Sequence, residues 1–281
     1  MRRRVAVLPV LLGLAVAAGK AEAQPPLDPP LDCRAFSDGA ARADCERANA
    51  GDARAQASTG LLYATGRGVP ADYAAAVRLF RLAAAQGDVT AEVHLGAMYA
   101  SGRGVARDDR EAVRLFRLAA DKGNPAAQVD LADMYATGRG VARSAEQAMR
   151  LYRSAALQGN AEGMNGLAWR LAMAGGNLDE ALDWAARAAA LAPENAAIQD
   201  TLGWIFLRQR KLELALFYAQ RAVALQPGCA ACEDHLGDVA AALGRREEAR
   251  GHWRRALDLS SGSPPDPDWN RNDVARKMSA P

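Results

Sequence analysis

The chain has 281 residues, of which 50% are hydrophobic and only 6% aromatic. This composition, rich in alanine, favours tightly packed short helices over a β-sandwich or a β-barrel. The formal net charge is only +2, so charge alone gives little support to a nucleic-acid-binding function.

The N-terminus predicts a secretory signal peptide over residues 1–23. Three arginines precede an apolar run at residues 5–18, and Ala21-Glu22-Ala23 is a small-x-small cleavage site. A membrane anchor is the weaker alternative, because roughly 14 apolar residues fall short of the ~20 that a span needs. We expect a periplasmic or secreted protein, and the alanine- and arginine-rich composition suggests a Gram-negative source.

Removal of the signal peptide changes the charge. Residues 1–23 carry four basic side chains against Glu22, a net of +3, so the remaining chain falls from +2 to −1. We therefore expect no nucleic-acid partner. We also expect no membrane span after signal cleavage.

Two segments precede the main body of the chain. Residues 24–35 form a proline-rich leader in which proline excludes helix, and we expect it to be extended and mobile. Residues 36–50 are predicted to form a single N-terminal capping helix, which would cover the apolar side of the first repeat.

A seven-residue stretch, Tyr-Ala-Thr/Ser-Gly-Arg-Gly-Val, recurs along the chain. It begins at Tyr63, Tyr99 and Tyr135, so the copies are 36 residues apart (99 − 63 and 135 − 99). A period of this length, kept without slippage, is typical of a helical solenoid. Three 36-residue units then fill residues 51–158.

Each unit predicts two helices, A and B, joined by a loop. A glycine follows the tyrosine where a left-handed end to helix A is needed, and helix B begins at a good N-cap. Glu111 and Gln147 stand three residues after the N-cap, which predicts capping boxes in the second and third units. The glycines are Gly66, Gly102 and Gly138, and the N-caps are Asp72, Asp108 and Ser144.

These residues together resemble the Sel-one-like repeat, a relative of the tetratricopeptide repeat. The pattern extends from Gln56 through Gly60 and the Tyr-Gly-Arg-Gly stretch to Gly87, and all three copies carry it, with Thr59 and Glu92 as departures. The resemblance implies an all-α, right-handed solenoid of antiparallel helix hairpins that binds other proteins.

After residue 158 the period becomes 34, as in Pro193 and Pro227 or Gly203 and Gly237. This half resembles three tetratricopeptide repeats over residues 159–263. The first copy is degenerate, with Trp169 aligned with Gly203.

The change of period predicts a local difference between the two halves. Spacings between equivalent residues predict that the front repeats have a loop inside the hairpin four residues longer and a link between hairpins two residues shorter. We expect one continuous solenoid, followed at residues 264–281 by a tail or a short capping helix.

The sequence offers little catalytic chemistry. Its three histidines are His94, His235 and His252, and no two have a short metal-ligand spacing. The G-x-S-x-G, Walker and H-E-x-x-H motifs are absent. We therefore expect no enzyme activity, no metal and no cofactor.

The four cysteines allow two disulfides. Cys33 and Cys45 could tie down the N-terminal cap in an oxidising compartment. Cys229 and Cys232 form a C-x-x-C at the start of a helix, where a local structural disulfide is the favoured interpretation. Thiol–disulfide exchange is the alternative, because a helix N-terminus stabilises a thiolate, but no thioredoxin-like βαβ pattern surrounds the motif.

The resemblance to tetratricopeptide arrays implies a concave groove lined by the A helices. The candidate groove residues of the back half are mildly acidic, so a partner segment of basic or apolar character fits them. Trp204 could instead simply pack between helices. The back-half candidates are Asp200, Trp204, Leu207, Asp234 and Asp238, and the front-half candidates are Ser58, His94 and Asp130.

These observations predict an exported scaffold or adaptor that binds a protein or peptide segment in the groove of a helical-repeat solenoid. The alternative is a thiol-active periplasmic assembly factor that uses Cys229 and Cys232.

Overall fold

The computed structural model describes residue 27, residues 29–261 and residues 269–279. The predicted signal peptide lies outside the described residues. Within them, the secondary structure consists of a short 3₁₀ turn at Cys33–Ala35 and 14 α-helices. No helix in this part of the chain is both long and apolar enough to cross a membrane.

Helix α1 (Gly39–Asn49) is followed by six helix hairpins and a last single helix. The front hairpins are α2 (Ala53–Thr65) with α3 (Tyr73–Ala85), α4 (Val89–Ser101) with α5 (Asp109–Asp121), and α6 (Pro125–Thr137) with α7 (Ala145–Leu157). The back hairpins are α8 (Ala161–Met173) with α9 (Leu178–Leu191), α10 (Ala196–Arg208) with α11 (Leu212–Leu225), and α12 (Ala230–Ala242) with α13 (Arg246–Leu259). Helix α14 spans Arg271–Ser279.

The two halves differ in their loops, as predicted. The loop inside a front hairpin, such as residues 66–72, has seven residues, whereas residues 209–211 make a three-residue loop in the back half. The prediction placed the compensating loss of two residues entirely in the link between hairpins, but the structure divides it between the link and helix B. The front link, such as residues 86–88, is only one residue shorter than residues 226–229, and the front B helices have 13 residues instead of 14.

The hairpin of α8 and α9 is intermediate between the two kinds. It follows a three-residue link, but its loop has four residues and helix α9 has 14. The start of α8 therefore lies 35 residues before the start of α10 (196 − 161). Ala168 is thus the residue equivalent to Gly203, and Trp169 is equivalent to Trp204, so the predicted alignment of Trp169 with Gly203 was wrong by one residue.

The predicted helix ends are confirmed. Gly66, Gly102 and Gly138 are C-caps with φ of 68°, 72° and 74°. The side chains of Asp72, Asp108 and Ser144 accept a hydrogen bond from the first turn of their B helices. The capping boxes are only half formed, because Glu111 and Gln147 bind Arg114 and Arg150 instead of reaching back to the N-cap.

Packing inside the first two front hairpins depends on one aromatic ring and one glycine. A Cβ added at Gly60 would lie 2.8 Å from the ring of Phe80, and one at Gly96 would lie 2.7 Å from the ring of Phe116. Only glycine lets the two helices approach this closely. One hydrophobic cluster continues from Val129 in α6 to Val239 in α12, which agrees with a single solenoid across the change of period.

A polar bridge between helix A and the C-terminal end of helix B recurs in each front hairpin. The side chain of Gln56 accepts a hydrogen bond from Gln86 at 2.9 Å, and Gln128 accepts one from Gln158 at the same distance. At the second copy the pair is Lys122 and Glu92, at 2.7 Å. The departure at Glu92 is therefore matched by a partner of opposite charge.

The Gly-Arg-Gly loops contact the hairpin before them. Gly104 lies against the backbone of Tyr73 and Gly140 against that of Asp109. The Arg139 side chain donates to Ala100 O and Asp109 at 2.7 Å each, and the guanidinium of Arg103 lies over the Tyr73 ring. These arginines thus hold successive hairpins together.

The N-terminal cap is cross-linked by the predicted disulfide between Cys33 and Cys45. The leader was expected to be mobile, but its described residues are bound to helix α1. Leu27 N donates to Asn49 O at 3.0 Å, and Leu31 exchanges two hydrogen bonds with the Asn49 side chain.

Helix α14 packs against α13. Val274 is fully buried there, in a cluster with Trp253 and Trp269. Successive A helices also approach one another directly (α2–α4, α6–α8, α8–α10 and α10–α12), whereas each intervening B helix packs between two A helices. The A helices therefore form the inner, concave face of the array.

Candidate binding groove on the concave face

Three clefts follow one another along the A helices. The front cleft has about 240 Å³ and lies between α4 and α6. The central cleft has about 400 Å³ and lies between α6, α8 and α10. The rear cleft has about 220 Å³ and lies between α8, α10 and α12. Adjacent clefts share lining residues, so together they form one groove.

Acidic side chains dominate the junction of the front and central clefts. Asp130 and Asp133 line both, and Glu162 lines the central one. Burial, together with the charges of Asp133 and Glu162, raises the pKa of Asp130 to about 7. Arg170 is the basic residue in the central lining.

Aromatic rings lie where the central and rear clefts meet. The centroid of the Trp204 ring lies 4.8 Å from that of His235 and 6.0 Å from that of Trp169. Trp169 lines both clefts, whereas Trp204 is not part of either lining and packs against the other two rings. Trp204 therefore packs between helices, which is the alternative given for it in the sequence analysis.

His235 lies at the centre of the rear cleft and binds Asp200, with 2.8 Å between His235 Nδ1 and Asp200 Oδ2. Burial by itself lowers the pKa of His235, but the carboxylates of Asp200, Asp234 and Asp238 outweigh burial and raise it above its ordinary value. The acidic surrounding therefore stabilises the charged form of the ring relative to a free histidine.

The chain's own C-terminal segment, Trp269 and helix α14, lies against acidic residues of α12 beside the rear cleft. The Lys277 Nζ lies 2.7 Å from both Asp234 Oδ1 and Asp238 Oδ2, and Trp269 Nε1 donates to Asp234 Oδ2 at 3.0 Å. Asp238 also accepts a hydrogen bond from Trp253. Two predicted groove residues, Asp234 and Asp238, are thus bound by the chain itself.

The remaining candidates divide between the groove and the body of the fold. Asp130 and Asp200 line clefts. Ser58 instead donates to Asp44 of the capping helix at 2.9 Å, and Leu207 packs against the core of the back half.

His94, the remaining front-half candidate, packs against the first front hairpin. Its ring stacks on Phe80 with 5.3 Å between centroids, and burial lowers its pKa. Desolvation disfavours the charged form, so His94 serves as a packing residue.

Sequence reasoning missed several groove residues, above all Trp169, Asn165 and His235. The signal for two of them was a one-residue shift in period. The N-caps Asn160 and Asn195 are 35 residues apart, and counting by 35 aligns Trp169 with Trp204 and Asn165 with Asp200.

The second predicted cysteine pair is also a disulfide. Cys229 is the N-cap of α12, and its sulfur accepts a hydrogen bond from Cys232 N at 3.1 Å. Both cysteines line the rear cleft. Among the described residues, no group of three histidine, cysteine or acidic side chains is arranged to hold a metal ion.

Comparison with known proteins identifies the repeats. The Sel1 repeat model matches residues 53–88, 89–124, 125–160 and 161–193, which together make half of the chain. The fourth match covers most of the segment interpreted above as the first 34-residue repeat. No curated protein matches the chain.

Three solved structures of repeat proteins are similar to this chain, and the first of them, with a TM-score above 0.5, shows the same architecture. A Sel1 repeat protein from Oxalobacter formigenes has 25% identity and a TM-score of 0.57, over 75% of this chain and 89% of that one. The protective antigen c5321 of uropathogenic Escherichia coli, which displays an SLR fold, has 24% identity and a TM-score of 0.35, over 85% and 76%. YrrB, a TPR protein with an unusual peptide-binding site, has 18% identity and a TM-score of 0.45, over 66% and 93%.

Repeat arrays of this kind generally serve as protein-interaction scaffolds and are typically without enzymatic activity. The repeats, the hairpin geometry and the matched residues agree, and this chain belongs to the Sel1 repeat family.

Proposed function

We propose that this protein is an exported scaffold that binds a protein or peptide segment in the groove formed by the front, central and rear clefts. The observation that carries the proposal is the contact made by the C-terminal segment, Trp269 and helix α14. Lys277 and Trp269 of this segment bind Asp234 and Asp238 on the inner face of α12. The acidic face beside the rear cleft thus already holds one basic and aromatic segment, in the way that a partner segment would be held.

Export is supported by two features. The arginines, apolar run and cleavage site of residues 1–23 have the order of a secretory signal peptide. All four cysteines are paired in disulfides, and such bonds persist in oxidising compartments such as the periplasm. The proposed location is therefore periplasmic or secreted.

Site-specific cross-linking tests the groove. Ala197 is exposed and lines both the central and the rear cleft, whereas Gln220 is exposed on helix α11, which is a B helix. A benzoylphenylalanine at each position would be irradiated in the presence of a pool of labelled, randomised nonapeptides. We expect several-fold more adduct at position 197, and equal labelling at the two positions would overturn the proposal.

A second candidate function is thiol–disulfide exchange by Cys229 and Cys232. The observation that favours it is their place in the lining of the rear cleft at the N-terminus of α12, where amide groups stabilise a thiolate. The reduction potential of the pair distinguishes a structural disulfide from an exchanging one. A value below about −300 mV marks a structural bridge and ends this candidate, whereas a value above about −230 mV supports it.

A further inference from the structure

Two buried aspartates occupy equivalent positions in neighbouring hairpins. Asp200 is the fifth residue of α10 and Asp234 the fifth of α12, and they are only 8% and 5% exposed. In each, Oδ2 binds a ring nitrogen 35 residues further along the chain. Asp200 Oδ2 lies 2.8 Å from His235 Nδ1, and Asp234 Oδ2 lies 3.0 Å from Trp269 Nε1.

The second oxygens of the two carboxylates differ. Asp234 Oδ1 accepts a hydrogen bond from the Lys277 ammonium at 2.7 Å. Asp200 Oδ1 is buried and has no hydrogen-bond partner among the described residues. Since a buried carboxylate oxygen without a donor is costly, the equivalent site shows which donor suits this one. That donor is an ammonium group.

Asp200 is one of the residues that line the rear cleft. Trp169 and Trp269 line the cleft, and exposed Ala197 forms part of its rim. Aromatic faces suit both the methylene stem and the charged head of a basic side chain.

The charge around the cleft is also favourable. Three carboxyl groups, those of Asp200, Asp234 and Asp238, stand there against two basic groups, His235 and Lys277. Only one oxygen of Asp200 is available. A point-like ammonium can use a single acceptor, whereas a guanidinium fork is best satisfied by two, so the site favours lysine over arginine.

We propose that the rear cleft receives a lysine side chain of a bound peptide segment, whose ammonium donates a hydrogen bond to Asp200 Oδ1. This inference rests on the proposed function and names the residue that the groove recognises.

The test uses four pools of labelled nonapeptides, randomised except for a central lysine, arginine, norleucine or glutamate, and the immobilised full chain. We expect the lysine pool to bind about tenfold more tightly than the norleucine pool, the ratio that one charge-assisted hydrogen bond supports. Arginine should fall between the two, and glutamate should bind least.

Two variants locate the effect. Asp200→Asn keeps the shape and removes the charge, and it should bring the ratio of lysine to norleucine close to one. Ala197→Lys changes an exposed residue one helical turn from Asp200 and supplies an internal ammonium, so it should abolish the lysine preference even if Asp200→Asn folds poorly. Asp183→Asn, at an exposed position on α9, is the control and should retain the preference.

The outcomes separate the two proposals. If no pool binds, the proposed function fails and this inference with it. If the pools bind without a preference for lysine, or the preference survives in folded Asp200→Asn and in Ala197→Lys, the lysine site alone is wrong.

Discussion

The Nζ atom of Lys277 lies 2.7 Å from Oδ1 of Asp234, although 43 residues separate the two along the chain. The same Nζ lies 2.7 Å from Asp238. One side chain of helix α14 therefore compensates two carboxylates that α12 places on the inner face of the last hairpin.

Lys277→Ala should destabilise the C-terminal end of the array by about 1–3 kcal/mol, because it leaves two largely buried carboxylates without their cation. Tryptophan fluorescence during urea unfolding measures this, since all five tryptophans lie at or after residue 169. Arg276→Ala is the matched control. The Arg276 side chain is 79% exposed and binds its helix neighbour Asp273, so its loss should cost under about 0.5 kcal/mol. Equal effects from both variants would show that the Lys277 contacts contribute no more to the free energy of unfolding than an exposed ion pair does.

Charge neutralisation tests the bridge between the two helices of the second front hairpin. Glu92 is 3% exposed and binds Lys122, so Lys122→Gln should destabilise the chain by about 2–4 kcal/mol by leaving a buried charge unpaired. The double variant Glu92→Gln/Lys122→Gln restores the pair that stands at Gln56/Gln86 and Gln128/Gln158. We expect it to recover most of the loss in thermal denaturation followed by circular dichroism. Additive losses in the double variant would contradict the pairing.

The stability of helix α6 should depend on pH through Asp130. Its pKa rises from the ordinary 3.8 to about 7 in the folded chain. The folded state favours protonated Asp130. Its contribution to the free energy of unfolding is therefore complete below about pH 4 and is lost as the pH rises through 7. Between pH 5 and pH 8 the loss amounts to at most about 3 kcal/mol.

Asp130→Asn should remove that dependence, because asparagine carries no charge at any pH. Hydrogen exchange of the α6 amides at pH 5 and pH 8, corrected for intrinsic rates, measures it locally. Asp121→Asn, at the exposed end of α5, should leave the pH dependence unchanged. If the Asp130→Asn variant keeps the same pH dependence, the assignment of the raised pKa to Asp130 is wrong.

Two glycines with the same backbone conformation should differ in their tolerance of alanine. Gly68 and Gly140 have φ of 74° and 66°, so alanine is strained at both by about 1 kcal/mol. A Cβ at Gly140 would lie 2.1 Å from the Asp109 carbonyl oxygen, whereas one at Gly68 meets only Ser37 Oγ at 3.4 Å. Gly140→Ala should therefore cost roughly 3 kcal/mol in urea unfolding and Gly68→Ala about 1 kcal/mol. Similar costs would mean that the loop can move away from the preceding hairpin.

Most of the architecture could be predicted from the sequence because local signals carry it. Gly66 and its equivalents end helix A, Asp72 and its equivalents begin helix B, and the fixed spacing of these signals gives the hairpin loop length. The single error of alignment, at Trp169, arose because one hairpin combines a short loop with a short preceding link. No residue type marks that combination.

The groove was less predictable, because it depends on which side chains bind each other across hairpins. Repeat position placed Asp200 and Asp234 together, but it could not show that a lysine from beyond the last repeat binds only the second of them. Nor could it show that His235, which aligns with Thr201, is drawn into an acidic surrounding. Such contacts join side chains that are 35 or more residues apart in the sequence.

The docked Gly-Arg-Gly loops have a mechanical consequence. The second and third front hairpins are each joined to their predecessor both through packed helices and through a loop whose glycine lies against backbone. The three-residue loops of the last two hairpins are too short for a second attachment of this kind. When the two ends of the array are pulled apart, we therefore expect the back hairpins to separate first, which would open the rear cleft while the front of the groove keeps its shape.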